Sequence, residues 1–331
     1  MSDRTLPVGI AGAGLMGRWH AHAAARTSGR VLGVADPDLG RARRLAEAHP
    51  GARAFSEAGP MLAALELRAL HVCSPLATHA VLVESALERG LDVLVEKPLA
   101  QDAATTERLS IEAERAGRLL VPVHQYPFQR GFSRARAGLE RSGPLRHAEM
   151  TLCTAGGAGR DERGLAELVA EILPHPLSVA QSLFRPRIHE VAWSVERFAS
   201  GEVLVQGRDG ALAFRALVSA ASRPPESSLS LRGERGTWRV DFFHGYANFE
   251  PGSVGRSAKI LRPFGQSARN LLAASSNLAR RTAAGESAYP GLRALVSAFY
   301  RAAREQGPPP IEPAAVRELA LVRDRLLADL S

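Results

Sequence analysis

Through the first third of the chain, apolar residues come in short, almost unbroken runs. They occupy residues 6–11, 31–35, 53–55, 69–73, 91–95 and 119–124. Between them the apolar positions recur three or four apart. Runs of that length predict strands covered on both faces, and the intervening periodicity predicts helices. Strands alternating with helices predict a parallel sheet with right-handed crossovers. The expected helices end near Arg26, cross Arg41–Arg44, run from a Ser56 cap to about 67, reach 89 before Gly90, and span about 102–116.

The alternation stops near His124. After a helix to about 141 and a Gly143-Pro144 turn, longer segments alternate apolar and polar residues: 145–153, 190–198, 202–206, 211–219, 229–232 and 237–243. Asp209-Gly210 is a hairpin turn, as is the Gly-Glu-Arg-Gly at 233–236. These predict a largely antiparallel sheet, suited to cover a cofactor and to pair with another copy. Residues 167–183 read as a helix interrupted near Pro174. The expected fold is α/β, a doubly wound parallel (Rossmann) sheet followed by an α+β domain, with the domains at 1–124 and 125–331.

Two amphipathic segments remain. In 260–278, Ile260, Leu261, Phe264, Ala268, Leu271, Leu272 and Leu278 fall on one side of a helical wheel, opposite Arg262, Arg269 and Arg280. Pro263 and Gly265 should break the helix early or mark its start. It reads first as a packing helix or lid against the sheet or a partner subunit. Membrane contact through 259–284 is the less favoured alternative. Residues 292–300 read as a core helix, and 313–330 as a last helix.

Composition changes the picture little. Of 331 residues, 45% are apolar and 23% charged, as in soluble globular proteins, and the length suits two domains. No apolar run is long enough to span a bilayer. Met1-Ser2-Asp3-Arg4 leads straight into a strand with no signal-peptide pattern, so a cytoplasmic location is expected. The net charge of +8 suits an anionic small-molecule substrate or nonspecific polyanion binding, and no nucleic-acid partner is expected. Cys73 and Cys153 lack metal-ligand spacing and read as free buried thiols. No metal site is expected.

The candidate chemistry lies at strand ends. Gly12-Ala13-Gly14-Leu15-Met16-Gly17 sits between a strand and a helix, where Gly-x-Gly-x-x-Gly is a dinucleotide fingerprint. The next strand ends at Asp36, placed to meet the adenosine ribose hydroxyls, so NAD is favoured. NADP becomes accessible if Arg41, Arg43 or Arg44 meets its 2′-phosphate. The run 91–95 ends in Glu96-Lys97-Pro98, and proline stops the strand. Among 42 basic residues only Lys97 and Lys259 are lysines, so Lys97 carries the side chain that can exchange a proton. By position alone it is either reactive or a salt-bridged strand end. His79 starts a helix, near the cofactor or, preferably, on the surface. Glu171 and His175 are four apart and would share one side of a helix. His175 reads as a proton carrier or as a structural histidine between two prolines.

Taken together, Gly12–Gly17, Ser74-Pro75 with His79, Glu96-Lys97-Pro98, and Glu171 with His175 resemble the Gfo/Idh/MocA oxidoreductases, the glucose–fructose oxidoreductase and inositol dehydrogenase relatives. The resemblance spans the whole chain. It implies catalytic roles for Lys97, Glu171 and His175. It also implies cofactor contacts from Gly12, Gly14, Leu15, Met16, Gly17, Asp36, Ser74, Pro75, His79, Glu96 and Lys97. In that family an Asp-x-Gly-x-His pattern is usual. Here Glu171 and Leu173 replace its first two defined positions, and Ser178 stands where an aspartate is common. An Arg-Phe or Arg-Tyr element is replaced by Tyr126-Pro127-Phe128-Gln129-Arg130.

The implied reaction is hydride transfer between nicotinamide and a sugar, cyclitol or sugar-like secondary alcohol or ketone, which could be nucleotide-linked. His175 would take the hydroxyl proton, and Lys97 would stabilise the alkoxide. The alternatives are a biosynthetic carbonyl or imine reductase, an NAD-dependent glycosidase, and an NAD(P)-binding regulator without turnover. The expected assembly is a homodimer or homotetramer.

Overall fold

A computed structural model describes residues 5–184, 187–253, 255–286 and 288–330. Met1–Arg4, whose lead into the first strand the sequence suggested, lie outside the described residues. The chain divides into two compact units. The first comprises residues up to Val123 together with Leu292–Leu321, and the second comprises His124–Gly291 with Val322 onward.

The first unit alternates β1 (Leu6–Ala11), α1 (Leu15–Ala25), β2 (Gly29–Ala35), α2 (Leu39–Glu47), β3 (Arg53–Phe55), α3 (Ala58–Ala64), β4 (Ala69–Val72), α4 (His79–Leu87), β5 (Asp92–Val95), α5 (Ala103–Ala116) and β6 (Leu120–Pro122). The strands form one sheet in the order β3-β2-β1-β4-β5-β6, and all pairings are parallel. Every residue of β4 and β5 is buried, which explains their unbroken apolar runs. Asp38 and Asp102 cap α2 and α5 by accepting from the backbone N–H of Arg41 and Thr105. Ser56 does not cap α3. That helix begins after Glu57, with no side-chain cap.

α10 (Leu292–Glu305) and the first half of α11 (Pro313–Asp329) return to this unit. The boundary drawn at 124/125 therefore needs correcting. Leu295, Val296, Phe299 and Tyr300 of α10 are fully buried, and α10 packs against α1 and β5. The stripe was legible in sequence as core, but nothing local showed whose core it completes.

The second unit holds α6 (Arg130–Ala137), β7 (Leu145–Cys153), α7 (Glu162–Ile172), α8 (Pro174–Gln181), β8 (Ala192–Ala199), β9 (Glu202–Asp209), β10 (Leu212–Ser219), β11 (Glu226–Gly233), β12 (Gly236–Asp241), β13 (Tyr246–Pro251) and α9 (Arg256–Ala284). Its seven-stranded sheet runs β13-β12-β11-β7-β10-β9-β8. All pairings are antiparallel except β7 with β10. Gly210 takes φ of +52° in the β9–β10 hairpin, a conformation glycine adopts without a Cβ clash. β13 was not expected, because it buries Asn248 and Glu250, so it lacks an apolar alternation. α9 runs unbroken through Pro263, not interrupted there as the sequence suggested.

Candidate active site

The order of the parallel sheet reverses between β1 and β4, the switch point where open α/β sheets take ligands at their carboxyl ends. The glycine turn leaves β1 there. Gly12 has φ of +101°, and a Cβ on it would stand 2.5 Å from the Cys73 carbonyl oxygen. A Cβ on Gly17 would stand 1.8 Å from the Gly12 carbonyl oxygen. Both glycines thus allow α1 to start tight against two strand ends. Gly14 differs: a Cβ there would meet nothing within 4 Å. Gly14 is also the N-cap of α1, which has no side-chain cap. The first-turn N–H groups, those of Leu15 and Met16 among them, therefore lack a side-chain acceptor beside an open face, an arrangement that fits a pyrophosphate.

Asp36 follows β2. Its carboxylate accepts from the backbone N–H of Ala13 at 2.7 Å and of Asp38 at 2.9 Å. It is thereby locked to the glycine turn, with acceptor capacity left for a ribose diol. A groove of about 890 Å³ opens beside the turn, lined by Gly14, Leu15, Arg18, His22, Arg41 and Arg44 among others. Arg41 is paired with Asp38 at 3.1 Å.

The end of β5 is held by a buried relay. The Tyr300 hydroxyl donates to Nε2 of His71 at 2.8 Å. His71 then carries its proton on Nδ1 and donates to Nδ1 of His20 at 3.0 Å. His20 carries its own proton on Nε2 and donates to Oε1 of Glu96 at 3.1 Å. The other carboxylate oxygen accepts the backbone N–H of Lys97 at 3.2 Å. Every link is consistent with one tautomer of each histidine. His20, His71 and Tyr300 are all fully buried.

Burial, with some help from His20, drives the His71 pKa well below its ordinary value. Burial, with a contribution from Cys73, pushes the Tyr300 hydroxyl well up. Burial alone would raise Glu96, but the hydrogen bond from His20, with the charge and backbone N–H of Lys97, holds it below the usual carboxylate range. The relay therefore presents an ionised carboxylate to the Lys97 peptide.

His79 is buried, not on the surface. Its Nε2 lies 2.9 Å from the Ser74 carbonyl oxygen and its Nδ1 3.0 Å from that of Pro98. It ties the Ser74-Pro75 turn to the Glu96-Lys97-Pro98 turn. The Ser74 hydroxyl accepts from Thr78 at 2.7 Å.

In the second unit, Glu171 closes α7 and His175 opens α8. Leu173 between them keeps helical dihedrals, so the pair is carried through the proline-marked joint. Glu171 is exposed and His175 half-buried. The imidazole stacks on the Tyr126 ring, with centroids 4.4 Å apart and planes at 15°. Tyr126 stacks in turn on Phe242, at 4.7 Å and 15°. The Ser227 hydroxyl donates to the Tyr126 oxygen at 3.1 Å. Burial pushes the Tyr126 pKa up, so the ring stays neutral against the histidine. Nearby in sequence, Gln125 is buried and its amide oxygen has no hydrogen-bond partner. Tyr126, His20, His71 and Tyr300 were not picked out as site residues from sequence. Their partners lie too far along the chain for any local spacing to reveal.

A glycine turn at a switch point, an acid closing the second strand and an uncapped helix start define a dinucleotide-binding fold. Residues 6–124 match the family model described as an oxidoreductase family with an NAD-binding Rossmann fold. Over that segment the chain is similar to the Gfo/Idh/MocA oxidoreductases. It is 40% identical over 145 residues to inositol 2-dehydrogenase 4 of Saccharopolyspora erythraea, covering 43% of this chain and 42% of that protein. It is 32% identical over 197 residues to the inositol 2-dehydrogenase of Acidothermus cellulolyticus, covering 57% of each. The chain thus matches about half the length of these relatives. In fold it is similar to the WlbA dehydrogenase from Bordetella pertussis, solved in complex with NADH and UDP-GlcNAcA. That match has a TM-score of 0.73 at 18% identity and covers 100% of this chain and 98% of the other.

Proposed function

We propose that this protein is an NAD-dependent dehydrogenase. Its proposed reaction moves a hydride between nicotinamide and the carbinol carbon of a sugar, a cyclitol or a nucleotide-linked sugar. The observation that carries the reading is the buried relay ending on the Lys97 peptide. A strand-end lysine is held in register by four groups, three of them fully buried and drawn from three different elements. NAD is the proposed cofactor. Gly12, Gly14, Leu15, Met16 and Gly17 would hold its pyrophosphate, Asp36 its ribose, and the Ser74-Pro75 and Glu96-Lys97 turns the remainder. The carboxylate of Asp36 would repel a 2′-phosphate, which sets NAD ahead of NADP.

When bound, the nicotinamide supplies the hydride acceptor or donor. The chain's own groups move the proton and stabilise the charge. Lys97, as an ammonium, is proposed to stabilise the oxygen as it becomes an alkoxide. His175, oriented by its stack on Tyr126, is proposed as the base for the hydroxyl proton in oxidation and its donor in reduction. Glu171 is proposed to orient the substrate. The unpartnered Gln125 oxygen is an acceptor for a substrate hydroxyl. The small-molecule substrate is proposed to be polyhydroxylated, and the enzyme to work in the cytoplasm as a homodimer or homotetramer. β8, exposed along most of its length, is an edge strand open to a second copy.

Lys97→Met and His175→Ala should each lower kcat by about a thousandfold or more. The Kd for NAD should change by no more than about threefold. Near wild-type turnover in either variant contradicts the assignment.

A further inference from the structure

α9 is mounted the opposite way round from an ordinary surface helix. It runs along the edge strand β13 and is fixed to it by polar groups. Arg262 pairs with Glu250, the Asn248 amide donates to Asn270, and Asn277 and Arg281 donate to the His244 carbonyl oxygen. These contacts follow one another in antiparallel order. The 15 residues from Arg262 to Asn277 rise about 22 Å, against about 20 Å of strand from Glu250 back to His244. At about 100° per residue, the inward positions cluster at about 200–300° around the helix.

Ile260, Leu261, Phe264, Leu271, Leu272 and Leu278 occupy an arc of about 120° on the other side. All six are 61–73% exposed. A soluble monomer's largest apolar patch is typically about 300–600 Å², and six such side chains aligned along one helix reach or exceed it. Reading this stripe as packed against the sheet is therefore corrected. The polar side meets the sheet, because β13 buries Asn248 and Glu250 and so requires polar partners.

Charge chooses among the occupants of this stripe. The helix sequence carries six basic residues and no acid. Arg262 and Arg280 pair with Glu250 and Glu286, and Arg281 lies among the inward positions on the His244 carbonyl oxygen, while Arg256 and Arg269, at about 320° and 180° on the same wheel, flank the apolar arc. Two copies pairing through it would bring like charges together. An anionic lipid surface takes both the apolar stripe and the excess charge. Among the described residues no helix is long and apolar enough to cross a membrane, so the geometry is that of an element lying in the surface. We propose that α9 docks this protein on anionic membranes, its apolar face entering the interface while its polar face holds the second unit.

The test is flotation of the full chain with vesicles of phosphatidylcholine alone and with about one-third phosphatidylglycerol. The expected result is binding to the anionic vesicles that weakens as salt is raised. Leu271→Glu/Leu272→Glu should reduce that binding about tenfold or more while far-UV CD stays unchanged. Phe264→Gln provides a milder second variant, expected to bind several-fold more weakly. Failure to float with the anionic vesicles overturns the proposal, as does equal binding to neutral ones. A dimer in light scattering that the double variant dissociates, with no vesicle binding, also overturns it and assigns the face to a second copy.

Discussion

Tyr300 donates its only proton to His71, and Gly29 makes room for its ring. A Cβ on Gly29 would come within 2.6 Å of that ring. Tyr300→Phe leaves a fully buried imidazole nitrogen without a donor, which costs about 1–3 kcal/mol. A thermal melt should show the corresponding loss in Tm. The same relay sets a pH dependence. His71 is held neutral, its folded pKa lying well below the ordinary value of 6.5. Its contribution is complete above pH 6.5 and is lost as pH falls below that, while the unfolded chain takes up a proton the folded chain refuses. Glu96, also depressed when folded, acts with the same sign at lower pH. Stability should fall by about 1.4 kcal/mol per pH unit below pH 6.5. His71→Leu, less stable throughout, should show a flatter slope in denaturant titrations between pH 6.5 and 5. Asp36 is proposed to set the cofactor choice. Asp36→Ala removes a charged acceptor worth about 1.5–3 kcal/mol, so the KM for NAD should rise at least about tenfold while NADP is used better than in the wild type.

Among secondary-structure elements, legibility followed locality. Gly12, Gly14, Gly17, Asp36 and Lys97 stand out in the sequence because their motifs follow directly on the ends of apolar runs. His20 and His71 are 51 positions apart, and Tyr300 lies 229 beyond His71, so no spacing rule joins them. β13 escaped notice because Asn248 and Glu250 are buried against a polar helix face, which inverts the usual alternation. The helix 260–278 was seen, but its orientation was not, since a helical wheel shows two faces without saying which one the protein uses. α1 offers a sharp test of the glycine argument. Gly17→Val places a Cβ 1.8 Å from the Gly12 carbonyl oxygen, forcing helix and turn apart. NAD affinity measured by calorimetry should fall beyond detection, with a lowered Tm.

For the molecule as a whole, the two-domain α/β plan was legible, because alternating and antiparallel segments occupy different halves of the chain. The return of Leu292–Leu321 to the first unit was not, since an amphipathic stripe records burial without an address. That return supplies Tyr300, so the relay behind Lys97 is completed by a residue just over 200 positions downstream. The account stands or falls on hydride transfer that depends on Lys97. The direct measurement starts from NAD and myo-inositol or a UDP-sugar deuterated at its carbinol carbons, and asks where the label goes. The wild type should deliver deuterium to the nicotinamide C4 of the NADH it forms, and Lys97→Met should form essentially none. NADH that lacks the label, or labelled NADH formed equally fast by Lys97→Met, would contradict it.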